Sequence, residues 1–335
     1  MRILIISPTQ SGIGGIAQHV QGLQKFLQKN SHHVEIISSD NTFTLPIKGL
    51  KNPSFMVSSY FKSKFKKNQD IVHAHNIPSA KAMKNANGKK ILTLHGIFSE
   101  QIDMLHGKTL SKISKNHEKN ALNWADLITV VSKEAQQYYE KLGFNPFHIP
   151  NAIDIDTLEK SENKIYEKQI IYVGRLSKEK GILELLLIAK KLPKNINLII
   201  VGNGPEEENV KIASRQENIH YFGYLPSKQT IPLIRGSEIL IQPSLIEGIS
   251  TSILEAMACK TVVVATEIGG NKEVLSDHNT GILIQNHSEI LDTLNELYSN
   301  SQLRKLLVEN AFTEVQKYDW KNIGKQYLEL YNSFL

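Results

Sequence analysis

Two glutamates, Glu247 and Glu255, flank a short loop that is rich in glycine and hydroxyl side chains. The loop, which contains Gly248, Ser250 and Thr251, leaves backbone N–H groups uncovered before a predicted helix, whose positive dipole end favours an anionic phosphate. Glu255, about one turn into that helix, can accept hydrogen bonds from ribose hydroxyls, whereas Glu247 precedes the helix and would reach a sugar. The pattern predicts a sugar-nucleotide site, and two solvated carboxylates are the alternative.

Two cations, Arg175 and Lys180, bracket a turn that leads from a predicted strand into a helix. Arginine offers a planar fork for phosphate oxygens and lysine a mobile point charge. Together they suit the negative charge that develops on a leaving diphosphate. Lys178, in the same turn, is expected to be solvated.

Further ligand-binding turns follow other predicted strands. Gly14 and Gly15 follow the first strand, His95 follows the fourth, and Gly202 and Gly204 lie in another strand-to-helix turn. Open parallel sheets bind ligands beyond the carboxyl ends of their strands. We therefore expect these turns to line binding edges.

The first of these turns also satisfies a dinucleotide-binding fingerprint. Gly12, Gly14 and Ala17 have its spacing, and Glu35 or Asp40 could be the downstream acid. In that fingerprint the first glycine comes straight off the strand, whereas here residues 8–11 lengthen the turn. An NAD-dependent oxidoreductase is thus an alternative that rests on this match alone.

Short apolar runs alternate with helical patterns along the whole chain, which predicts parallel sheets covered by helices. The predicted strands span 2–7, 34–38, 71–74, 90–94, 127–131, 169–173, 197–201, 219–222, 239–242, 261–265 and 281–284. His73 and His75 fall on one face of the third, and without a third ligand we interpret them as structural.

The strands divide into two doubly wound α/β domains. A polar, charge-rich stretch after residue 150 separates them, so we predict an N-terminal domain over 1–152 and a C-terminal domain over 153–317. The last segment, 318–335, reads as an amphipathic helix with Trp320, Ile323, Tyr327, Leu330 and Tyr331 along one stripe. Its aromatic stripe predicts packing on another element.

Composition bounds the compartment and the class of partner. A single cysteine, Cys259, excludes an internal disulfide and suits a reducing compartment. No apolar run reaches the roughly 20 residues that span a bilayer. We expect a cytoplasmic protein, with peripheral attachment to the cytoplasmic membrane face.

The positive charge belongs to the N-terminal half. Residues 1–164 hold 21 Lys and Arg against 13 Asp and Glu, whereas residues 165–335 hold 18 against 20. Much of the excess lies in 62–67, interleaved with Tyr60, Phe61 and Phe65, and in Lys108, Lys112, Lys115 and Lys119. No nucleic-acid motif accompanies it, so an anionic membrane surface is the favoured partner and a solvated helix face the alternative.

The ordered motifs GIGG, HG, PNAID, YVGRLSKEKG, VGNGP, FGYL, PSLIEGISTSILEAMA and ATEIGGNKEVL, closed by a Trp-bearing helix, resemble the retaining GT-B-type glycosyltransferases of family 4. The resemblance covers nearly the whole chain and is more specific in the C-terminal half. It implies two Rossmann-like domains facing across a cleft, with the last helix crossing back to the N-terminal domain. One departure stands at 247–252, where many members read EGFGLP and this chain reads EGISTS.

The resemblance also implies roles for individual residues. Arg175 and Lys180 would grip the donor diphosphate, Glu247 the sugar hydroxyls and Glu255 the ribose, while His95 would approach the donor sugar. The implied donor-binding set is Gly14, Gly15, Gly202, Gly204, Gly223, Leu225, Gly248, Ser250, Thr251 and Glu255.

The expected activity is transfer of a hexose from a nucleoside-diphosphate sugar, UDP favoured over GDP, to a glycan or lipid-linked acceptor. No metal or other cofactor is expected, because the two cations would carry the charge and the departing phosphate would act as base. Asp154 and Asp156 look like the metal-binding DxD of the other glycosyltransferase fold, but we do not expect a metal there. A UDP-sugar epimerase of the same fold and a non-catalytic sugar-nucleotide-binding protein are the alternatives.

Overall fold

The computed structural model describes residues 1–10, 14–45, 47, 50–100 and 108–335, and for 108–114 the backbone alone. Its internal contacts divide the chain into two compact units. Unit 1 comprises Met1–Ala152 and Trp320–Leu335, and unit 2 comprises Ile153–Asp319. Within the described residues no helix is both long and apolar enough to cross a membrane.

Unit 1 is built on a six-stranded parallel sheet in the order β2-β1-β3-β4-β5-β6. Its strands are β1 (Arg2–Ser7), β2 (His33–Ser38), β3 (Ile71–His75), β4 (Lys89–Leu94), β5 (Leu127–Val130) and β6 (Phe147–His148). Along β1, Ile3 and Ile5 pack on one face of the sheet and Leu4 and Ile6 on the other. Both faces are covered, which is why the strand is apolar at every core position.

Helices cover the two faces of this sheet. They are α1 (Gly15–Lys29), α2 (Lys51–Ser63), α3 (Ile77–Asn85), α4 (Lys108–Asn123) and α5 (Lys133–Lys141). In α1 the buried residues Val20, Leu23 and Leu27 recur at helical spacing, so one stripe of the helix faces the core.

Unit 2 repeats the plan with a sheet in the order β12-β11-β10-β7-β8-β9. Its strands are β7 (Lys168–Val173), β8 (Ile196–Val201), β9 (Ile219–Tyr221), β10 (Ile239–Gln242), β11 (Val262–Thr266) and β12 (Ile282–Ile284). Its helices are α6 (Ile182–Ala189), α7 (Glu207–Ala213), α8 (Ser227–Arg235), α9 (Thr251–Ala258), α10 (Asn271–Val274), α11 (Ile290–Ser299) and α12 (Ser301–Val315). Two parallel helix-covered sheets confirm the predicted doubly wound α/β class.

The final helix, α13 (Trp320–Asn332), belongs to unit 1. Its predicted stripe is buried, and Trp320 and Tyr327 pack with Val20 and Leu23 of α1. The approach is close, because a Cβ on Gly22 would lie 2.0 Å from the Trp320 ring. Tyr318, predicted to begin this helix, instead ends a 3-10 turn and packs in the core of unit 2.

The strand order of each sheet reverses once. In unit 2 the chain leaves β7 for β8 and β9 on one side and returns to β10, which pairs with the other side of β7. In unit 1 the corresponding reversal lies between the neighbouring strands β1 and β3. Loops diverge at such a point, which leaves a crevice at the carboxyl ends of the two strands.

Candidate active site

The reversal in unit 2 brings together the two loops that carry the predicted charged residues. Arg175 and Lys180 follow β7, and Glu247 follows β10, the strand next to it. Backbone contacts lock the two loops, since the N–H groups of Leu245 and Ile246 both donate to the carbonyl oxygen of Glu179, at 2.9 and 3.2 Å. Residues 67 positions apart therefore share one site.

Lys180 and Glu247 form a bidentate ion pair. The Lys180 ammonium lies 2.7 Å from each carboxylate oxygen of Glu247. The carboxylate is nearly enclosed, its side chain 8% exposed against 25% for the lysine. The sequence predicted both residues in the site but gave them separate ligands, and it did not predict their contact.

A buried chain of hydrogen bonds continues from this carboxylate. Ser244 Oγ donates to Glu247 Oε2 at 3.1 Å, and Gln242 Nε2 reaches the same oxygen at 3.4 Å. The other end of the Gln242 amide, Oε1, accepts from Ser252 Oγ at 3.1 Å, and Ser252 in turn contacts Ser250 Oγ at 2.9 Å. Gln242, Ser244 and Ser252 were missed by sequence reasoning, although Gln242, as the last residue of a predicted strand, occupied a position where polar groups point to a ligand edge.

Arg175 lies at the start of the loop that follows β7. Its guanidinium Nη1 lies 3.9 Å from Glu179 Oε1, and its side chain is 58% exposed, so the pairing leaves the guanidinium open to a ligand. Its carbonyl oxygen accepts from the Tyr172 hydroxyl at 2.8 Å. Burial, and then the charges of Glu247 and Glu179, raise the pKa of Tyr172, which keeps that hydroxyl a donor.

Three glycine turns meet beside the arginine. Gly202 N donates to Gly223 O at 2.8 Å, and Leu176 N donates to the carbonyl oxygen of Asn203 at 2.9 Å. A Cβ on Gly202 would lie 1.8 Å from Gly174 O, and one on Gly204 2.3 Å from Leu176 O. Only glycine allows the backbones to approach this closely.

Leu225 lies beyond Gly223 at the exit of β9. It lines a surface cavity of about 460 Å³ together with Phe222, Lys228 and Pro232. The space around Gly223 is open: its φ is +67°, and a Cβ added there would have no atom within 4 Å. Of the residues predicted to bind the donor, Leu225 thus lines this cavity, whereas Gly202, Gly204 and Gly223 are not among its lining residues.

Helix α9 begins where the sequence predicted. Ser250 is its N-cap, and Thr251 and Glu255 are both buried. The backbone of Gly248 is packed closely, because a Cβ on Gly270 would lie 2.1 Å from Gly248 O. The loop that carries Glu247 therefore leads directly into the N-terminus of α9.

The remaining predicted residues lie in unit 1. Gly14 is the N-cap of α1, with φ +122° and free space around it, and Gly15 opens the helix. Gly12, the first position of the dinucleotide fingerprint, lies outside the described residues.

His95 belongs to a cluster of four buried histidines. His75 Nδ1 lies 3.1 Å from His95 Nε2, the rings of His73 and His75 stack at 4.4 Å, and the His19 ring centroid lies 5.0 Å from that of His95. Because β3 is flanked by the elements that carry His19 and His95, the cluster extends the His73–His75 pair that we interpreted as structural from the sequence. Burial lowers the pKa of His73 to about 3 and that of His95 to about 4.

The cluster ties α13 to the sheet. His73 Nδ1 lies 2.6 Å from the Tyr331 hydroxyl, and His19 Nε2 lies 3.1 Å from the Tyr327 hydroxyl. The described residues contain no group of three or more His, Cys, Asp or Glu side chains arranged to hold a metal ion. Asp154 precedes a 3-10 turn, and Asp156 lies exposed within it.

Family comparisons match both halves of the chain. The family described as glycosyl transferases group 1 matches residues 154–314, and the family described as glycosyltransferase family 4 matches residues 13–157.

Individual relatives agree with the families. The chain is 29% identical to an uncharacterized glycosyltransferase of Methanocaldococcus jannaschii over 73% of its own length and 66% of the relative's, just under two thirds. It is 23% identical to the phosphatidyl-myo-inositol mannosyltransferase of Mycobacterium leprae over 99% of this chain and 97% of that protein.

A solved structure shares the fold. HepE of Anabaena, in complex with UDP and glucose, superimposes with a TM-score of 0.76 at 19% identity, covering 99% of this chain and all of that one. At this identity the likeness shows the architecture alone.

Proposed function

This chain belongs to the family 4 glycosyltransferases of the GT-B fold, and we propose that it moves a hexose from a nucleoside-diphosphate sugar to a glycan or lipid-linked acceptor with retention of configuration. UDP is the favoured nucleotide and GDP the runner-up. The observation that carries the proposal is the Lys180–Glu247 ion pair at the strand reversal of unit 2, beside the exposed guanidinium of Arg175.

The pair suggests how a donor would be held. A diphosphate arriving at Lys180 offers oxygens that compete with Glu247 for the ammonium, and Arg175 adds a second cation. Once Lys180 turns to the phosphate, Glu247 keeps its hydrogen bonds from Ser244 and Gln242 and can accept from sugar hydroxyls. The two roles predicted from the sequence would thus be two states of one contact.

The same two cations lead us to propose that no metal is needed. They would stabilise the charge that grows on the leaving diphosphate as the glycosidic bond breaks. The departing phosphate would take the proton of the acceptor hydroxyl on the same face of the sugar, which yields retention. Within unit 2, Gly202, Gly204, Gly223 and Leu225 would line the base pocket and Glu255 would bind the ribose.

Nucleotide and acceptor are proposed from the relatives. HepE was solved with UDP, which favours UDP here, and the mannosyltransferase named for phosphatidyl-myo-inositol supports a lipid-linked acceptor. The predicted roles of His95, Gly14 and Gly15 toward the donor stay predictions.

A thermal-shift panel tests the nucleotide. UDP, GDP, ADP, CDP and NAD are added at millimolar concentration with and without Mg²⁺, and a ligand at about 100 times its Kd raises stability by roughly 2.7 kcal/mol. We expect a shift with UDP that does not depend on Mg²⁺ and is smaller in Lys180→Ala than in Lys178→Ala. A shift with NAD alone would overturn the proposal. Incubation with a UDP-sugar and no acceptor separates the epimerase, which would yield an epimer or free sugar and UDP.

A further inference from the structure

The N-terminal unit carries an unusual stretch between Asp40 and Asp70. These 29 intervening residues contain no acidic side chain and six lysines: Lys48, Lys51, Lys62, Lys64, Lys66 and Lys67. Lys66 is paired with Glu35, and Lys62 donates to Asn41, whereas Lys51, Lys64 and Lys67 are exposed. The stretch thus keeps a local excess of positive charge at the surface.

Large apolar side chains are exposed along the same stretch. Of the seventeen such side chains in the described part of the chain, seven lie between residues 43 and 65, a concentration that scattered surface hydrophobics would not produce. The most exposed are Phe65 at 83%, Phe43 at 72%, Val57 at 60% and Phe61 at 56%.

Helix α2 sorts these residues onto one side. Phe55, Ser59 and Ser63, four residues apart, form its buried stripe, so the helix is docked in the unit. Val57 and Phe61, also four apart, point away from that stripe and stand next to each other on the outer side.

The segment before the helix adds to the outer side. Leu45 N donates to Ser54 Oγ at 2.9 Å, and Ser58 Oγ donates to Phe43 O at 2.7 Å. These bonds lay residues 43–45 along α2 and place Phe43 beside the turn that carries Val57. We call the side formed by Phe43, Val57, Phe61, Phe65 and Lys64 the outer face of α2.

Lysine and aromatic side chains touch on this face. The Lys64 ammonium lies 5.1 Å from the centre of the Tyr60 ring and 5.6 Å from that of Phe61. A lysine ammonium held over aromatic rings combines charge with apolar surface, which suits the boundary between apolar chains and anionic headgroups. A protein partner is disfavoured, because the centres of protein interfaces are depleted in lysine.

We propose that the outer face of α2 docks on an anionic membrane surface. Phe43, Val57, Phe61 and Phe65 enter the headgroup region, and the exposed lysines contact the lipid phosphates. The inference deepens the proposed function and rests on it for its purpose, because a lipid-linked acceptor has to be met at a membrane.

Vesicle co-sedimentation tests the docking. The full chain is spun with vesicles of phosphatidylcholine containing phosphatidylglycerol, and with phosphatidylcholine alone, at low and high salt. We expect binding to the anionic vesicles that weakens in high salt. Lys64→Glu with Lys67→Glu should weaken it about fivefold or more for each lysine, and Phe61→Ser with Phe65→Ser at least about tenfold.

Matched controls lie elsewhere on the surface. Lys190→Glu with Lys191→Glu changes the same charge on exposed lysines of unit 2, and Leu187→Ser with Leu306→Ser removes apolar side chains that are 62% and 49% exposed. These variants should sediment with vesicles as the parent does. All the substituted positions are exposed, so melting temperatures should stay unchanged.

Three results would overturn the docking: no binding to anionic vesicles, equal loss in the controls, or self-association in sedimentation velocity that Phe61→Ser with Phe65→Ser abolishes. The thermal shift with UDP separates this inference from the proposed function. If vesicles are not bound but UDP still shifts the melting temperature, the docking alone fails. If vesicles are bound and no nucleoside diphosphate shifts it, the proposed function alone fails.

Discussion

Removing the ammonium of Lys180 should lower stability and turnover by different routes. Breaking a fully buried ion pair costs about 3–5 kcal/mol. Here the lysine side chain is one quarter exposed, and Glu247 keeps contacts with Ser244 and Gln242. We therefore expect Lys180→Met to lower the free energy of unfolding by about 1–2 kcal/mol, below the fully buried range.

The effect on catalysis should be larger. If Lys180 stabilises charge only as the diphosphate leaves, its loss resembles the loss of one oxyanion donor, which costs about 100- to 1,000-fold in kcat. Lys178, exposed in the same turn, provides the matched control, and Lys178→Met should leave kcat within about twofold.

A double variant separates the two effects. In Lys180→Met with Glu247→Gln no carboxylate is left unpaired, so the free energy of unfolding should recover while kcat stays low. Urea unfolding measures the first quantity, and initial rates of nucleoside-diphosphate release measure the second. The reasoning is refuted if Lys180→Met turns over normally, or if the second substitution restores kcat, because the lysine would then only neutralise its partner.

Three further predictions concern residues that support the candidate site in unit 2 and the buried histidines of unit 1. Gln242→Glu should lower the free energy of unfolding by about 3 kcal/mol and reduce turnover, because it sets a second carboxylate against Glu247. Gly181→Ala should cost at least about 2 kcal/mol in urea unfolding, because φ is +66° and the added Cβ would lie 1.8 Å from a carbonyl oxygen. The melting temperature should fall as the pH drops from 7 towards 4, because the folded pKa values of His73, about 3, and His95, about 4, lie below the usual 6.5. Below pH 6.5 the unfolded chain binds more protons than the folded chain. Each histidine therefore lowers the free energy of unfolding by up to about 1.4 kcal/mol per pH unit.

Each of the first two substitutions has a control in the same chain. Gln137→Glu introduces the same charge at an exposed helix position and should be silent. Gly143→Ala tests φ alone, since φ is +86° with no atom within 4 Å of the new Cβ, and it should cost only about 1–2 kcal/mol. His73→Asn should flatten the pH dependence, because it removes one of the buried groups whose folded pKa is lowered. A melting temperature that does not change between pH 7 and 5 would contradict the histidine argument.

The elements were predictable because their signals are local. Each of the eleven predicted strands matches the observed one within one residue at either end, since β-branched runs and glycine turns mark where strands stop. The missed strand, β6, is two residues long and lies at the edge of its sheet, too short for any pattern to show. The C-terminal helix was predicted from its stripe, but its first turn was misplaced at Tyr318.

The contacts within the site were less predictable because they depend on strand order. Lys180 meets Glu247 only because β7 pairs with β10, and periodicity does not specify which strands are neighbours. The histidine cluster has the same origin: His73 and His75 share a strand face that the sequence shows, whereas His19 and His95 arrive from a helix and the neighbouring strand. Sequence reasoning named the charged pair and three of the four histidines but missed His19, and topology decided their partners.

These contacts explain what the sequence at 247–252 does where it differs from that of many family 4 members. Many family 4 members read EGFGLP at these positions. That sequence has no hydroxyl where this chain has Ser250 and Ser252. In this chain Ser252 donates to Gln242, and that bond turns the amide so that its N–H₂ end faces Glu247. The hydroxyls therefore do more than replace phosphate contacts: they orient the group that supports Glu247 when Lys180 is drawn away. A carboxylate with its own donors can release the lysine to a diphosphate without being left unpaired, and that is the exchange which the proposed mechanism requires.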